Sequence, residues 1–164
     1  MKQLIFSFLC LSLIFISFTS CVKENKFPHQ PIIEFKKFVL YENDSADCFI
    51  NFKDGDGDIG IFDGDKVSPD DLKMKYLYKE PGGTFLPVDS SFGTSKFDTL
   101  FYGYRVPNIT PEGQYKGLDG EIKIKFRTAP LFGPHAIIKF EIILKDRAGN
   151  TSNMVTTNEI TVIP

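Results

Sequence analysis

The 164-residue sequence has no tryptophan, only three cysteines and two histidines, and almost no excess of charge, with 19 Lys+Arg against 21 Asp+Glu. Each scarcity removes a class of function. His29 and His135 form no motif with a nucleophile, so no catalytic triad can be assembled from spacing, and the His/Cys cluster that zinc requires is missing. A formal charge of -2, with no dense basic run, excludes a nucleic-acid footprint. Carboxylate pairs for glycoside cleavage leave no sequence motif, and no enzyme is expected. Beyond residue 30, apolar residues nowhere hold a 3.6 spacing over ten or more positions, so amphipathic helices are excluded as well.

What is present begins with Lys2 and the apolar stretch Leu4 to Phe18, followed by small Thr19 and Ser20. That is the layout of a secretory signal. A helix of this length covers about 22 Å, less than the ~30 Å hydrocarbon core a permanent span must cross. Phe18-Thr19-Ser20-Cys21 resembles the lipobox of bacterial lipoproteins, in which two small residues precede the cysteine that is acylated, although Phe18 stands where Leu is usual. The resemblance implies residues 1–20 as signal peptide, lipidation at Cys21, and a chain held on a membrane by its acyl chains, each buried methylene contributing ~0.8 kcal/mol. Cys10 then leaves with the signal and Cys48 has no partner for a disulfide. Residues 21–30, mainly polar with Phe27 the one aromatic and ending at Pro28 and Pro31, read as a tether that lets the domain float up to about 35 Å from its anchor.

From Pro31 the pattern has period two. Cys48, Ile50 and Phe52 share one face; Met74, Tyr76 and Tyr78, then Ile122, Ile124 and Phe126, then Ala136, Ile138, Phe140, Ile142 and Leu144 repeat the pattern. Less regular candidates are Ile32–Tyr41, Thr84–Val88, Thr99–Arg105 and Val155–Ile163, with long connections at 89–98 and 107–120. The expectation is an all-β, immunoglobulin-like antiparallel β-sandwich of seven or eight strands over residues 31–164. Parity puts His135 outward in water, and Cys48 inward as an inert thiol.

One segment stands out: Asp54-Gly55-Asp56-Gly57-Asp58-Ile59-Gly60, followed by Asp63-Gly64-Asp65. Hard divalent cations take six to eight oxygens at 2.3–2.6 Å, and carboxylates alternating with glycine can converge on one. It is not an EF-hand, because the positions that need Gly and Glu hold Ile59 and Asp65, and no helices flank it. Two readings stay open, a Ca²⁺-binding loop and a metal-free series of Asp-Gly turns capping their own backbone. In the immunoglobulin plan this loop shares an end with Lys145–Asn150, so Asp146 and Asn150 can add oxygens, or simply form a turn. The tether leaves from that end, which favours a structural clamp near the anchor.

The acidic run, together with Tyr104-Arg105-Val106-Pro107, Lys116-Gly117-Leu118-Asp119-Gly120-Glu121-Ile122 and Asp146-Arg147-Ala148-Gly149-Asn150-Thr151-Ser152-Asn153, resembles a family of small uncharacterised outer-membrane lipoproteins of Bacteroidota type. The resemblance implies an immunoglobulin-like domain anchored to the outer membrane, on its periplasmic face or at the cell surface, and it implies no enzyme. Lys23-Glu24 looks like part of that group's export signal. Asp44-Ser45-Ala46 and Asp98-Thr99-Leu100 match its short O-glycosylation pattern. The function expected is a non-catalytic structural or interaction module with a partner protein in the envelope. The alternative is a surface module binding glycans or peptides through aromatics such as Phe92, Phe97, Phe101, Tyr102 and Tyr104.

Overall fold

A computed structural model describes residues 27–42, 45–62, 64, 70–88, 101–126 and 135–162. The signal peptide, Cys21, Lys23-Glu24, Asp44, Asp63, Asp65, Phe92, Phe97 and Asp98-Thr99 lie outside the described residues. Within them the chain is all-β, with strands β1 (Ile32–Leu40), β2 (Ala46–Asp54), β3 (Leu72–Lys79), β4 (Phe85–Pro87), β5 (Phe101–Tyr104), β6 (Leu118–Phe126), β7 (Ile137–Leu144), β8 (Val155–Thr156) and β9 (Ile160–Thr161).

Two antiparallel sheets form, β1-β2-β6 and β4-β3-β7-β8. β5 shares the β4 edge of β3, and β9 shares the β8 edge of β7. The sandwich closes because the dry faces anticipated from alternation meet. Ile33, Cys48, Ile50, Phe52, Ile124 and Phe126 from one sheet pack on Leu72, Met74, Tyr76, Ile138, Phe140, Ile142 and Leu144 from the other. Phe140 is the hub: its ring lies 5.6 Å from Phe126, 6.0 Å from Phe38 and 5.7 Å from Tyr76. Cys48 is fully buried, and burial pushes its thiol up to about 12.

Among the described residues the strand count is nine rather than seven or eight, because the last segment divides around Thr157. The Thr157 hydroxyl accepts from Phe140 N–H at 3.0 Å, replacing a strand partner locally. β6 begins at Leu118, inside what the sequence suggested was a connection. Gly120 lets the Phe52 ring lie close across the pair, where a Cβ would sit 3.1 Å from it. Ala136 is exposed, since β7 starts one residue later. His135 precedes the strand, so parity does not govern it, and its half-buried ring stacks on Tyr78 at 4.1 Å. The sheets are also stitched laterally: Asn153 Oδ1 accepts from Ile33 N–H at 2.9 Å and its Nδ2 donates to Ile33 O at 2.8 Å. A side chain thereby supplies the pairing that edge strand β1 lacks.

Candidate metal centre

The acidic loop starts where β2 ends. Asp54 is the last residue of β2 and is fully buried. Its Oδ2 accepts from the backbone N–H of Gly57 at 2.8 Å and of Asp58 at 3.1 Å, so the carboxylate curls the following residues around itself. Ile59 has no exposed surface and plugs the loop into the core. The tightness needs glycine: Gly57 has φ of 70°, and a Cβ there would lie 2.2 Å from the carbonyl of Lys116. At Gly55 a Cβ would lie 2.2 Å from the carbonyl of Phe27. The end of the expected tether is therefore laid against the loop. His29 Nδ1 is 3.0 Å from Asp56 Oδ2, Gln30 Nε2 donates to Thr151 O at 2.6 Å, and Lys53 Nζ lies 5.4 Å from the Phe27 ring centre.

The β7–β8 connection approaches from the other side. Arg147 N–H donates to Asp58 O at 3.3 Å and Ala148 N–H to Asp58 Oδ2 at 2.8 Å. Asp146 Oδ1 accepts from Asn150 N–H at 2.7 Å, and its Oδ2 from Asn150 Nδ2 at 2.8 Å. Asn150 thus orients Asp146 through its amide nitrogen. The outcome is a cluster of Asp54, Asp56, Asp58 and Asp146, each offering a carboxylate oxygen, all within 4.8 Å of one another.

Three of those residues keep one oxygen without a donor. Asp54 Oδ1, Asp56 Oδ1 and Asp58 Oδ1 are buried with no hydrogen-bond partner, while each Oδ2 is engaged. Orphaned buried oxygens are costly and uncommon. Burial, followed by the charge of Asp56, pushes Asp54 up to about 6, against the two backbone N–H groups that hold it down. Burial likewise raises Asp58, with Asp146 and Asp56 adding and the Ala148 N–H and Arg147 opposing.

Arg147 adjoins the cluster but gives its guanidinium elsewhere. Nη1 donates to Ile59 O at 3.2 Å, Gly60 O at 2.6 Å and Asn108 Oδ1 at 2.9 Å, and Nη2 donates to Thr110 Oγ1. It ties the 107–117 connection to the acidic loop, and its guanidinium lies 4.8 Å from the Phe62 ring centre. Asp54, Asp58 and Asp146 cap the turns around them, and with Asp56 they also offer a set of oxygens of the kind a hard cation takes.

Four of the seven expected ligands meet here: Asp54, Asp56, Asp58 and Asp146. Asn150 orients one of them, and Asp63 and Asp65 fall outside the described residues. Sequence reasoning missed Asp71, whose Oδ1 accepts from Val106 N–H at 2.9 Å while Oδ2 is buried without a donor; burial raises its carboxyl. Its backbone oxygen accepts from Lys145 N–H at 2.7 Å, so it latches the end of β7 to the start of β3. Only its place just before a strand could have marked it.

The aromatic platform expected for a glycan does not form among the described residues. Tyr102 turns inward, its ring 6.4 Å from Tyr76 and 6.1 Å from Phe140, and Tyr104 lies 5.9 Å from Phe126. Only Phe101 of these three is exposed, because alternation on β5 sends the two tyrosines to the core side. Phe97 is outside the described residues. Compared with protein-family models, curated proteins and solved structures, the chain matches none.

Proposed function

We propose that the protein is a non-catalytic, lipid-anchored structural or interaction module of the cell envelope, whose anchor-proximal end is a calcium clamp. The observation that carries the cation is the set of three buried, donorless oxygens on Asp54, Asp56 and Asp58 inside a cluster completed by Asp146. Electrostatics supports it: four carboxylates held this close repel, and a divalent ion converts repulsion into attraction. The donor set is all oxygen, which suits Ca²⁺ over zinc or copper.

The ion's place in the fold supports a structural role. The cluster joins β2, the acidic loop and the β7–β8 connection, and through Gly55 and Asp56 it touches the chain at Phe27 and His29. The lipobox-like Phe18-Thr19-Ser20-Cys21 lies just upstream, so the clamp would fix the domain where the anchor pulls. The resemblance to outer-membrane lipoproteins adds the compartment and a protein partner in the envelope. Calcium titration by calorimetry tests the clamp, and mass spectrometry of Cys21 tests the anchor. Recovery of the lipidated protein from membranes tests the partner: repeated failure to bring down any envelope protein would contradict that part.

A further inference from the structure

We infer that the acidic end of the sandwich is a lipid-facing surface, which rests against the bilayer when calcium has cancelled its negative charge. This rests on the anchor and cation readings above and goes beyond them, because neither requires the domain to touch lipid.

Among the described residues, exposed large apolar side chains are unevenly placed. Ile32, Phe62, Ile109, Tyr115 and Met154 are all exposed. Each lies at the acidic end. Ile32 pairs with Lys53 next to Asp54, and Phe62 lies under Arg147. Ile109 N–H donates to Ile59 O at 3.5 Å, and Tyr115 precedes Lys116, whose carbonyl sits over Gly57. Met154 follows Asn153, which is bonded to Ile33. At the opposite end, Leu40 and Tyr41 are the exposed pair among the described residues, and Phe101 pairs with Lys75 partway along β3. Exposed apolar side chains gathered on one surface mark protein or membrane contact sites, and amphipathic rings such as tyrosine suit the membrane interface.

Chain length selects lipid as the occupant. The described chain begins at Phe27 against Gly55, and Cys21 lies six residues earlier, at most about 20 Å of extended chain. An acyl group on Cys21 would hold this end within reach of headgroups. Charge sets the condition, since the Asp54, Asp56, Asp58 and Asp146 cluster is repelled by anionic lipid until a cation neutralises it.

The absence of tryptophan makes the test site-specific. The full lipidated chain carrying Phe62→Trp, Tyr115→Trp or Leu40→Trp is placed in vesicles of phosphatidylethanolamine and phosphatidylglycerol with brominated acyl chains. With calcium, the first two probes should shift to the blue and lose fluorescence to bromine, and Leu40→Trp should do neither; a chelator should reverse both effects. Calcium heat with no quenching overturns the lipid contact and leaves the clamp standing. Absence of both overturns both readings. Quenching that persists in chelator, or is equal at Leu40→Trp, contradicts the calcium-dependent orientation. A blue shift without quenching points to a protein surface and also overturns it. Mass spectrometry of Cys21 on the same sample separates failure of the anchor from failure of the surface.

Discussion

The backbone N–H of Asp58 donates to Asp54 Oδ2 at 3.1 Å, yet the Oδ1 atoms of both residues are buried without a donor. The loop is thus folded around its own carboxylates on one side only. On the other side, Asp54, Asp56 and Asp58 each keep an Oδ1 that no protein donor reaches, within a cluster of four carboxylates. A buried acid in this state is relieved by a bound water, a proton or a cation, and the last two compete.

The proton remedy gives a pH dependence. Asp54 moves from 3.8 to about 6 on folding, so between these values the folded chain binds more protons than the unfolded one. Stability of the calcium-free protein therefore falls as pH rises from about 4 to 6 and levels off above, a contribution of order 3 kcal/mol from this group at ~1.4 kcal/mol per unit. Urea unfolding in chelator at a series of pH values checks the sign. Saturating calcium should flatten or reverse the slope, because the ion takes the ionised form.

Asp54→Asn separates charge from shape. The amide oxygen can still accept from Gly57 and Asp58 N–H, while one of the clustered charges disappears. Without calcium the variant should melt higher than the parent, and calcium should no longer raise its Tm. A variant that melts lower and still responds to calcium would show that Asp54 is a turn cap and no ligand.

Gly57→Ala and Gly55→Ala should differ although both glycines face a carbonyl at 2.2 Å. Gly57 has φ of 70° and opposes Lys116, which sits just before β6, so neither side can give way. A loss of about 1–3 kcal/mol in chemical denaturation is expected. Gly55 opposes Phe27, which lies before β1 and outside any strand, so that segment is less fixed by hydrogen bonding than Lys116 beside β6. Gly55→Ala should cost less and should separate His29 from Asp56, seen as loss of the contact between their NMR signals.

Phe140→Ala should cost about 3–5 kcal/mol, because the ring joins both sheets through Phe38, Phe126 and Tyr76. Cys48 gives an independent reading of the same core. Its thiol is buried and held near 12, so peptide mapping after thiol labelling should find Cys48 modified only on unfolding.

β2, β3 and β7 were legible in the sequence because each places one face in a dry core, and parity reports that directly. β6 was legible only from Ile122 onward, since Asp119 and Gly120 carry no apolar signal and Gly120 is shaped by Phe52 on the neighbouring strand. Asp54, Asp56 and Asp58 announced themselves by spacing, and Asp146 followed from two loops sharing one end of a sandwich. Asp71, Ile59 and the docking of Phe27–His29 were not legible, because each depends on what the fold brings against it. Nor did spacing show that Asn150 turns its nitrogen toward Asp146, or that Tyr102 and Tyr104 point inward.

Calorimetric titration of the full chain with calcium, with Tm followed in parallel and repeated on Asp56→Asn, tests the cation clamp most directly. The expected result is saturable heat and a rise in Tm, with stabilisation of about 2.7 kcal/mol at a hundredfold excess over Kd, both lost in Asp56→Asn. No heat and an unchanged Tm in the parent protein would contradict it.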